Sequence, residues 1–438
     1  MKTLALYCHQ KSRLHEVLLL AQELSALYNI LLLVKKGTVI PENFQKENIE
    51  ILFLDVEKSL VHAMIQTKWL QKIKLSSFGM LLHELLFDMR FRIEMRSLQK
   101  LLDRRDFDFF LTPSDRHRNT LEYVLLLYFH NRNIKTMLPF FYETNPEGYL
   151  SGIENDPKFT LTQDACWYQR YVFSRYKNLA YKGHHTLLAF LYRVYARHGV
   201  LSKNPWVLGA GLSDVTLVAN KRQKELYSAQ NPLGDYRIIG DISYKELLKN
   251  QNNPEATKLF KEHYSIGTKK VIIYALGQFM ELGQSSKEAQ LEMIEMHIQA
   301  LMKFQETHTL LLSLHPMMQK ENYLFLEKKY PIKILEERLS SHLCMADIFI
   351  AHVSATLLWS TLLGIKTIVL ADRFPLATYD YLQSPFFIRS SQEIQKQFEK
   401  AIVEYEPTFK EDWEILCKEE VFDTKIQERY EKLFTSLA

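Results

Sequence analysis

Glycine is scarce: only 14 of the 438 residues, under half the usual ~7%. That excludes collagen-like, glycine-linker and glycine-rich repeat architectures. No GxGxxG and no GxxxxGK[ST] occurs, which argues against nicotinamide and flavin dehydrogenases and against P-loop NTPases. Cysteine is limited to Cys8, Cys166, Cys344 and Cys417, far apart and without CxxC or Cys/His spacing. Neither a disulfide framework nor a structural zinc site is indicated, and a reducing compartment is the natural reading. Long apolar runs are also missing. The stretch Ile348 to Ala371 is interrupted by His352, Ser354, Thr356, Ser360, Gly364 and Lys366, so it reads as strand, helix, strand and not as a membrane span. The opening MKTLALYCHQKSRLHEV reads as a buried first strand and not as a signal peptide.

Acid is absent from one long window. Between Ala165 and Ser213 there is no Asp or Glu, while Arg170, Arg175, Lys177, Lys182, Arg193, Arg197 and Lys203 give it a charge of +7. Removing those seven from the 55 Lys+Arg leaves 48 basic against 51 acidic residues. The formal net charge of +4 therefore belongs to one segment of an otherwise slightly acidic chain.

What is present is a soluble globular composition, 47% apolar and 12% aromatic, long enough for two domains with their own cores. Short apolar runs alternate with helical periodicity: Lys2 to Tyr7, Ile30 to Val34, Ile49 to Leu54, Phe107 to Leu111 and Ile134 to Leu138, then Val215 to Ala219 and Tyr236 to Gly240. The Asn-rich stretch Lys249 to Thr257 reads as a linker. A second series follows, with strands at Val271 to Ala275, Thr309 to Ser313, Ile332 to Leu335, Ile348 to Ala351 and Thr367 to Leu370. Alternation of this kind means parallel, doubly wound sheets. The expected fold is α/β, two Rossmann-like domains facing across a cleft, with a helical insert in the first. The expected boundaries are 1–248 for the first domain with its insert at about 150–206, 258–390 for the second, and 391–438 for C-terminal helices.

Ligands in open α/β sheets bind at the carboxyl ends of strands, which directs attention to the residues there. Gly277 and Gln278 follow the second domain's first strand, and glycine permits close backbone approach to a ligand. His315 and Pro316 follow TLLLS; an imidazole there donates to a phosphate oxygen or packs against a carbonyl. Ser354 and Thr356 open a helix after DIFIA, where hydroxyls cap the helix or, with its free N–H groups, hold an anion. In the first domain Asp115 and His117 follow FDFFL, and Glu143 follows IKTML. Asp115 is a helix cap or a general base, Asp115 and His117 are a candidate pair in which one orients the other, and Glu143 is a second carboxylate candidate.

The stretches LTPSDRHRNTLEYVLLLYFHNRNIKTMLPFFYE, LSDVTLVANKRQKELYSAQNPLGDYRIIGDI, LLLSLHP and MADIFIAHVSATLLWSTLLGIKTIVL resemble, in order and spacing, hydrolysing UDP-N-acetylglucosamine 2-epimerases and related GT-B fold glycosyltransferases. The epimerases' His-Arg-Arg-Glu-Asn run is here Leu276 to Glu281, and their Asp-Ser-Gly-Gly phosphate loop is here His352, Val353, Ser354, Ala355. The His-Pro step followed by a Ser/Thr helix start is instead similar to bacterial sialyltransferases and capsule glycosyltransferases of the same fold. That resemblance implies phosphate binding by His315, Ser354 and Thr356, Asp115 as base, an inverting displacement, and no metal or other cofactor. It further implies that 1–248 is the acceptor domain, that 258–390 binds the nucleotide sugar and that the helices of 391–438 pack back on the first domain, with a CMP- or UDP-sugar donor and a glycan or lipid-linked acceptor, in bacterial surface polysaccharide synthesis at a cytoplasmic location. The alternatives are a nucleotide-sugar 2-epimerase and a non-catalytic glycan-binding protein of the same fold.

The acid-free segment interleaves Trp167, Tyr168, Tyr171, Phe173, Tyr176, Tyr181, Phe190, Tyr192 and Tyr195 with its cations. Most of these aromatics are expected to pack on the domain. Arg13, Arg170, Arg175 and Lys177 are candidates for contact with an acceptor or with an anionic membrane on its inner face. Nucleic acid is the least favoured partner, since no nucleic-acid motif is present.

Overall fold

A computed structural model describes residues 2–8, 14–44, 47–55, 60–65, 67–73, 75–115, 120–141, 156–281, 283–372 and 379–437. The chain divides into two compact units, Met1–Ile239 with Gln427–Ala438, and Gly240–Ile426.

The first unit holds a seven-stranded sheet: β1 (Thr3–Cys8), β2 (Asn29–Lys35), β3 (Ile49–Leu54), β4 (Phe109–Leu111), β5 (Lys135–Leu138), β6 (Val215–Val218) and β7 (Tyr236–Ile238). Their order is β3-β2-β1-β4-β5-β6-β7, with every pairing parallel. Strands covered on both faces must be apolar throughout, and Leu4, Ala5, Leu6, Tyr7, Leu32, Leu33 and Val34 are accordingly all fully buried. Around the sheet lie α1 (Leu14–Leu24), α2 (Ser77–Leu102), α3 (Thr120–Asn131), α4 (Trp167–Arg175), α5 (Ala189–Arg197) and α6 (Lys221–Gln230). Helix α2 runs for 26 residues from a Ser76 cap whose hydroxyl accepts the Gly79 N–H.

The insert belongs to this unit's core. Tyr168, Val172, Phe173, Phe190, Tyr192 and Tyr195 join one apolar cluster with Ala5, Tyr7 and Leu31. Its cations reach back to α2: Arg197 Nη2 lies 2.6 Å from Glu84 Oε1 and its Nη1 2.9 Å from Asp88 Oδ1. Tyr168 donates to Glu84 Oε2 at 2.5 Å, and burial, with that carboxylate beside it, pushes the phenol well above its ordinary range. Two of the seven cations of the acid-free window, Arg193 and Arg197, are thus answered by acids about 110 residues earlier. Trp167 and Tyr171 are exposed.

The second unit repeats the plan with β8 (Lys270–Ala275), β9 (His308–Ser313), β10 (Lys333–Ile334), β11 (Ile348–His352), β12 (Lys366–Leu370) and β13 (Phe386–Ile388). Their order is β10-β9-β8-β11-β12-β13, again wholly parallel. The edge strand β13 lies beyond the five that the apolar runs indicate. Helices α7 (Lys287–Leu301) and α8 (Thr356–Leu363) pack here. The polar stretch at 249–257 lies inside this unit, where Asn253 caps the helix Pro254–His263, so the division falls earlier, at Ile239/Gly240.

The C-terminal helices also divide differently from expectation. Those from Ile394 to Val421 stay with the second unit, tied by Lys303 to Glu399 at 2.7 Å and by Trp413 Nε1 to the Thr361 carbonyl at 2.8 Å. Helix α9 (Ile426–Leu437) alone packs with the first, where Phe434 meets Tyr28 and Phe109 with ring centroids 4.9 and 4.6 Å apart. The apolar face of α9 is what the Tyr28/Phe109 corner needs; the preceding helices find their partners on the second sheet.

Candidate functional site

In the second unit the strand order reverses between β8 and β11, and such a switch point is where α/β sheets leave a crevice for ligands. The register sets Ala275 of β8 opposite both Ser313 of β9 and Ala351 of β11. Gly277 and Gln278, His315 and Pro316, and Ser354 and Thr356 therefore leave one sheet edge side by side, on strands spaced about 4.8 Å apart.

Each loop has a local reason for its shape. A Cβ on residue 277 would lie 2.6 Å from the Phe279 ring and 3.0 Å from His352 Cδ2, so only glycine lets the loop close over that packing. Gln278 Oε1 is buried and has no hydrogen-bond partner among the described residues. His315 sits in a turn whose carbonyl accepts the Met318 N–H at 2.8 Å. Its Nδ1 accepts the Met317 N–H at 3.1 Å, which in the neutral ring places the proton on Nε2 and makes that nitrogen a donor. Pro316, half a turn further, is exposed.

The start of α8 differs from an ordinary capped terminus. Its N-cap residue is Ala355, and no side chain caps it. Ser354 Oγ instead accepts from Thr356 Oγ1 at 3.1 Å and, at a long 3.4 Å, from the Thr356 N–H. A serine hydroxyl has one proton to donate besides its two lone pairs, so the pair orients Ser354 as a donor at the positive end of the helix.

Behind the edge lies a layer that the strand-end reading overlooks. His352, 4% exposed, has its Nε2 3.3 Å from the Tyr274 hydroxyl, which also meets His297 Nδ1 at 2.8 Å. The signal for it was a histidine closing an otherwise apolar strand. In the next loop Tyr323 donates to Glu281 Oε1 at 3.2 Å and accepts from Gln290 Nε2 at 2.6 Å.

In the first unit Asp115 is 1% exposed. Its Oδ1 accepts the Gly209 N–H at 3.0 Å, and its Oδ2 accepts the Gly211 N–H at 2.8 Å and the Ser213 hydroxyl at 2.7 Å. Tyr123 donates to its carbonyl and stacks on Tyr195 of the insert at 5.2 Å. Asp115 thus clasps the 209–213 loop, with three donors occupying most of the roughly four lone-pair sites of a carboxylate. It does not cap α3, which begins five residues later. His117, Glu143 and Arg13 lie outside the described residues.

Of the remaining candidates, Arg170 donates to the carbonyls of Ala165 and Gln163, closing its own helix start. Arg175 lies fully exposed against Tyr171 and Tyr176, and Lys177 is exposed. Among the described residues no cluster of His, Cys, Asp and Glu is placed to hold a metal ion, and no helix is long and apolar enough to cross a membrane. The Asp106-Phe107-Asp108 run precedes β4, at the opposite end of the strand from Asp115, and Asp108 Oδ2 accepts the Thr3 N–H.

No family model matches the chain, and no curated protein sequence does. Solved structures do. The chain is similar to the S. aureus MnaA–UDP co-structure at 10% identity, covering 98% of this chain and 95% of that one, with a TM-score of 0.54. It is similar to UDP-GlcNAc 2-epimerase from Neisseria meningitidis bound to UDP-GlcNAc, at 12% identity over 100% of both chains and a TM-score of 0.52. A structure of the wall teichoic acid polymerase TagF matches at 11% identity over 99% of this chain and 88% of that one, with a TM-score of 0.54. At such identities the likeness establishes the fold: two Rossmann-like α/β units of the GT-B type.

Proposed function

We propose that the chain is a metal-independent glycosyltransferase whose second unit binds the phosphate of a nucleotide-activated sugar and which serves surface polysaccharide synthesis. The observation that carries this reading is the His315 turn: an imidazole whose Nδ1 accepts the Met317 N–H, so that Nε2 donates, on the sheet edge that also carries Gly277 and the Ser354/Thr356 helix start. Three donor types leave the ends of adjacent strands, a set that suits a phosphate better than a neutral ligand.

In the reaction an acceptor hydroxyl oxygen attacks the anomeric carbon while the bond from that carbon to the phosphate oxygen breaks. The phosphate leaves with the bonding electrons, and His315 and the start of α8 stabilise the charge it gains. The acceptor proton passes to a carboxylate base. Asp115 is buried against the 209–213 loop and serves only if that loop opens, so Glu143 is the first candidate to test.

A second reading, a UDP-N-acetylglucosamine-type 2-epimerase, is supported by the likeness to structures that hold UDP or UDP-GlcNAc. Thermal-shift measurement with CMP, CDP, UDP and GDP tests the binding site, because a ligand that binds only the folded state raises its apparent stability. A shift with at least one nucleotide is expected; none with any would overturn both enzyme readings. Conversion of UDP-GlcNAc without an acceptor would select the epimerase.

A further inference from the structure

Helix α2 has a second face that its core does not use. Inward, Met80, Leu86, Phe91, Leu98 and Leu102 are buried. Outward, Phe78, Leu81, Leu85, Met89, Arg92, Arg96 and Lys100 are all exposed. Their spacing of 3, 4, 4, 3, 4 and 4 keeps them on one line of the helix surface. The first four are apolar, with Phe78 64% and Leu85 56% exposed; the last three are cationic.

The acids of this region do not share that line. From residue 60 to residue 102 the only acids are Glu84, Asp88 and Glu94. All three are buried and paired with Arg193 and Arg197, with Arg92 and Arg197, and with Arg90. Lys68 and Lys72, just before the helix, are exposed. The insert adds aromatics beside the helix start: Tyr168 N–H donates to Ser77 Oγ at 3.2 Å, which brings Trp167, 65% exposed, alongside, stacked on Tyr171 with ring planes 11° apart.

We propose that this face docks on an anionic lipid surface, with the Phe78 to Met89 half and Trp167 at the headgroup boundary and the lysines and arginines on lipid phosphates. Such a surface supplies both an apolar sink and negative charge. Nucleic acid would answer the cations but leave the leucines wet. A second copy of the chain paired in parallel would set cation against cation, and paired in antiparallel would set the apolar half against Arg96 and Lys100. The inference is independent of the donor site in the second unit.

The test is co-flotation of the full chain with vesicles of phosphatidylcholine alone and of phosphatidylcholine with phosphatidylglycerol. Binding is expected only to the second kind, weakening with added salt. It should fall about 5-fold for each charge removed in Arg96→Gln and Lys100→Gln, and be lost in the double variant Phe78→Ser, Leu85→Ser. These positions are exposed, so thermal midpoints should stay at the wild-type value and separate lost docking from lost folding. No binding to either vesicle, equal binding to both, or wild-type binding by the serine variant would overturn the proposal. So would concentration-dependent self-association that the serine substitutions abolish, which would assign the face to a second copy.

Discussion

The Asp115 Oδ2 oxygen accepts the Gly211 N–H at 2.8 Å, and a Cβ on residue 211 would fall 2.8 Å from the same oxygen. The two residues are fitted to each other, and Gly209, with φ +85°, completes the turn. Gly211→Ala should destabilise the fold by about 1–3 kcal/mol through overpacking, measured by urea denaturation. Asp115→Asn sets an amide or a weaker acceptor against three donors and should lower the thermal midpoint together with any turnover. Wild-type stability with abolished transfer would instead make Asp115 the base.

His315→Ala should weaken binding of the nucleotide that gives a thermal shift by about 10-fold or more, the worth of one hydrogen bond to a charged group. His315→Gln, which keeps a donor near Nε2, should recover part of it. Isothermal titration of both variants distinguishes this from a loop defect, in which the two would fail alike.

Glu84 joins α2 to the insert through Tyr168, Arg193 and Arg197. Glu84→Gln removes the charge that Arg193 and Arg197 share while Arg197 keeps Asp88, and with both arginines partly solvated it should cost about 2 kcal/mol in chemical denaturation. Tyr168→Phe, which removes one hydrogen bond, should cost about 1 kcal/mol. Equal effects from the two would contradict this arrangement.

Burial pushes the His185 imidazole, stacked 3.8 Å from Phe173, down to about 4, with His184 adding to the shift. His198, His308 and His342 are lowered as well, burial leading in each. Below the ordinary histidine value of about 6.5 the unfolded chain takes up protons that the folded chain refuses. The stability contributed by His185 is therefore complete above pH 6.5 and lost as the pH falls through about 4. The urea midpoint should drop between neutral pH and pH 5, and His185→Gln should flatten that dependence; an unchanged slope would remove His185 from the account.

The strands were legible because a parallel sheet buried on both faces demands unbroken apolar runs, and their carboxyl ends located Gly277, His315 and Ser354 without further help. Strand β13, Phe386 to Ile388, was not legible: its apolar run sits between Pro385 and Arg389, and no helical periodicity separates it from β12 to mark a crossover. The Asp115 clasp was hidden because its donors lie 94 to 98 residues away. Two glycines at 209 and 211 in a glycine-poor chain were its only trace. The pairing of Arg193 and Arg197 was hidden for the same reason, since nothing local points from them to Glu84 and Asp88. Long-range ion pairs leave no periodicity to read.

Helix α9 gives the first unit its last wall. Phe434 fills the corner between Tyr28 and Phe109, and Arg429 donates to the Ile239 carbonyl at 2.9 Å, so the unit that begins the chain is completed by residues translated after the whole of the other. During synthesis, at about 5–20 residues per second, the second unit can close while the first still waits, its Tyr28/Phe109 corner uncovered, for a segment nearly 190 residues beyond its own main body. The first unit to be translated is therefore the last to have all of its residues.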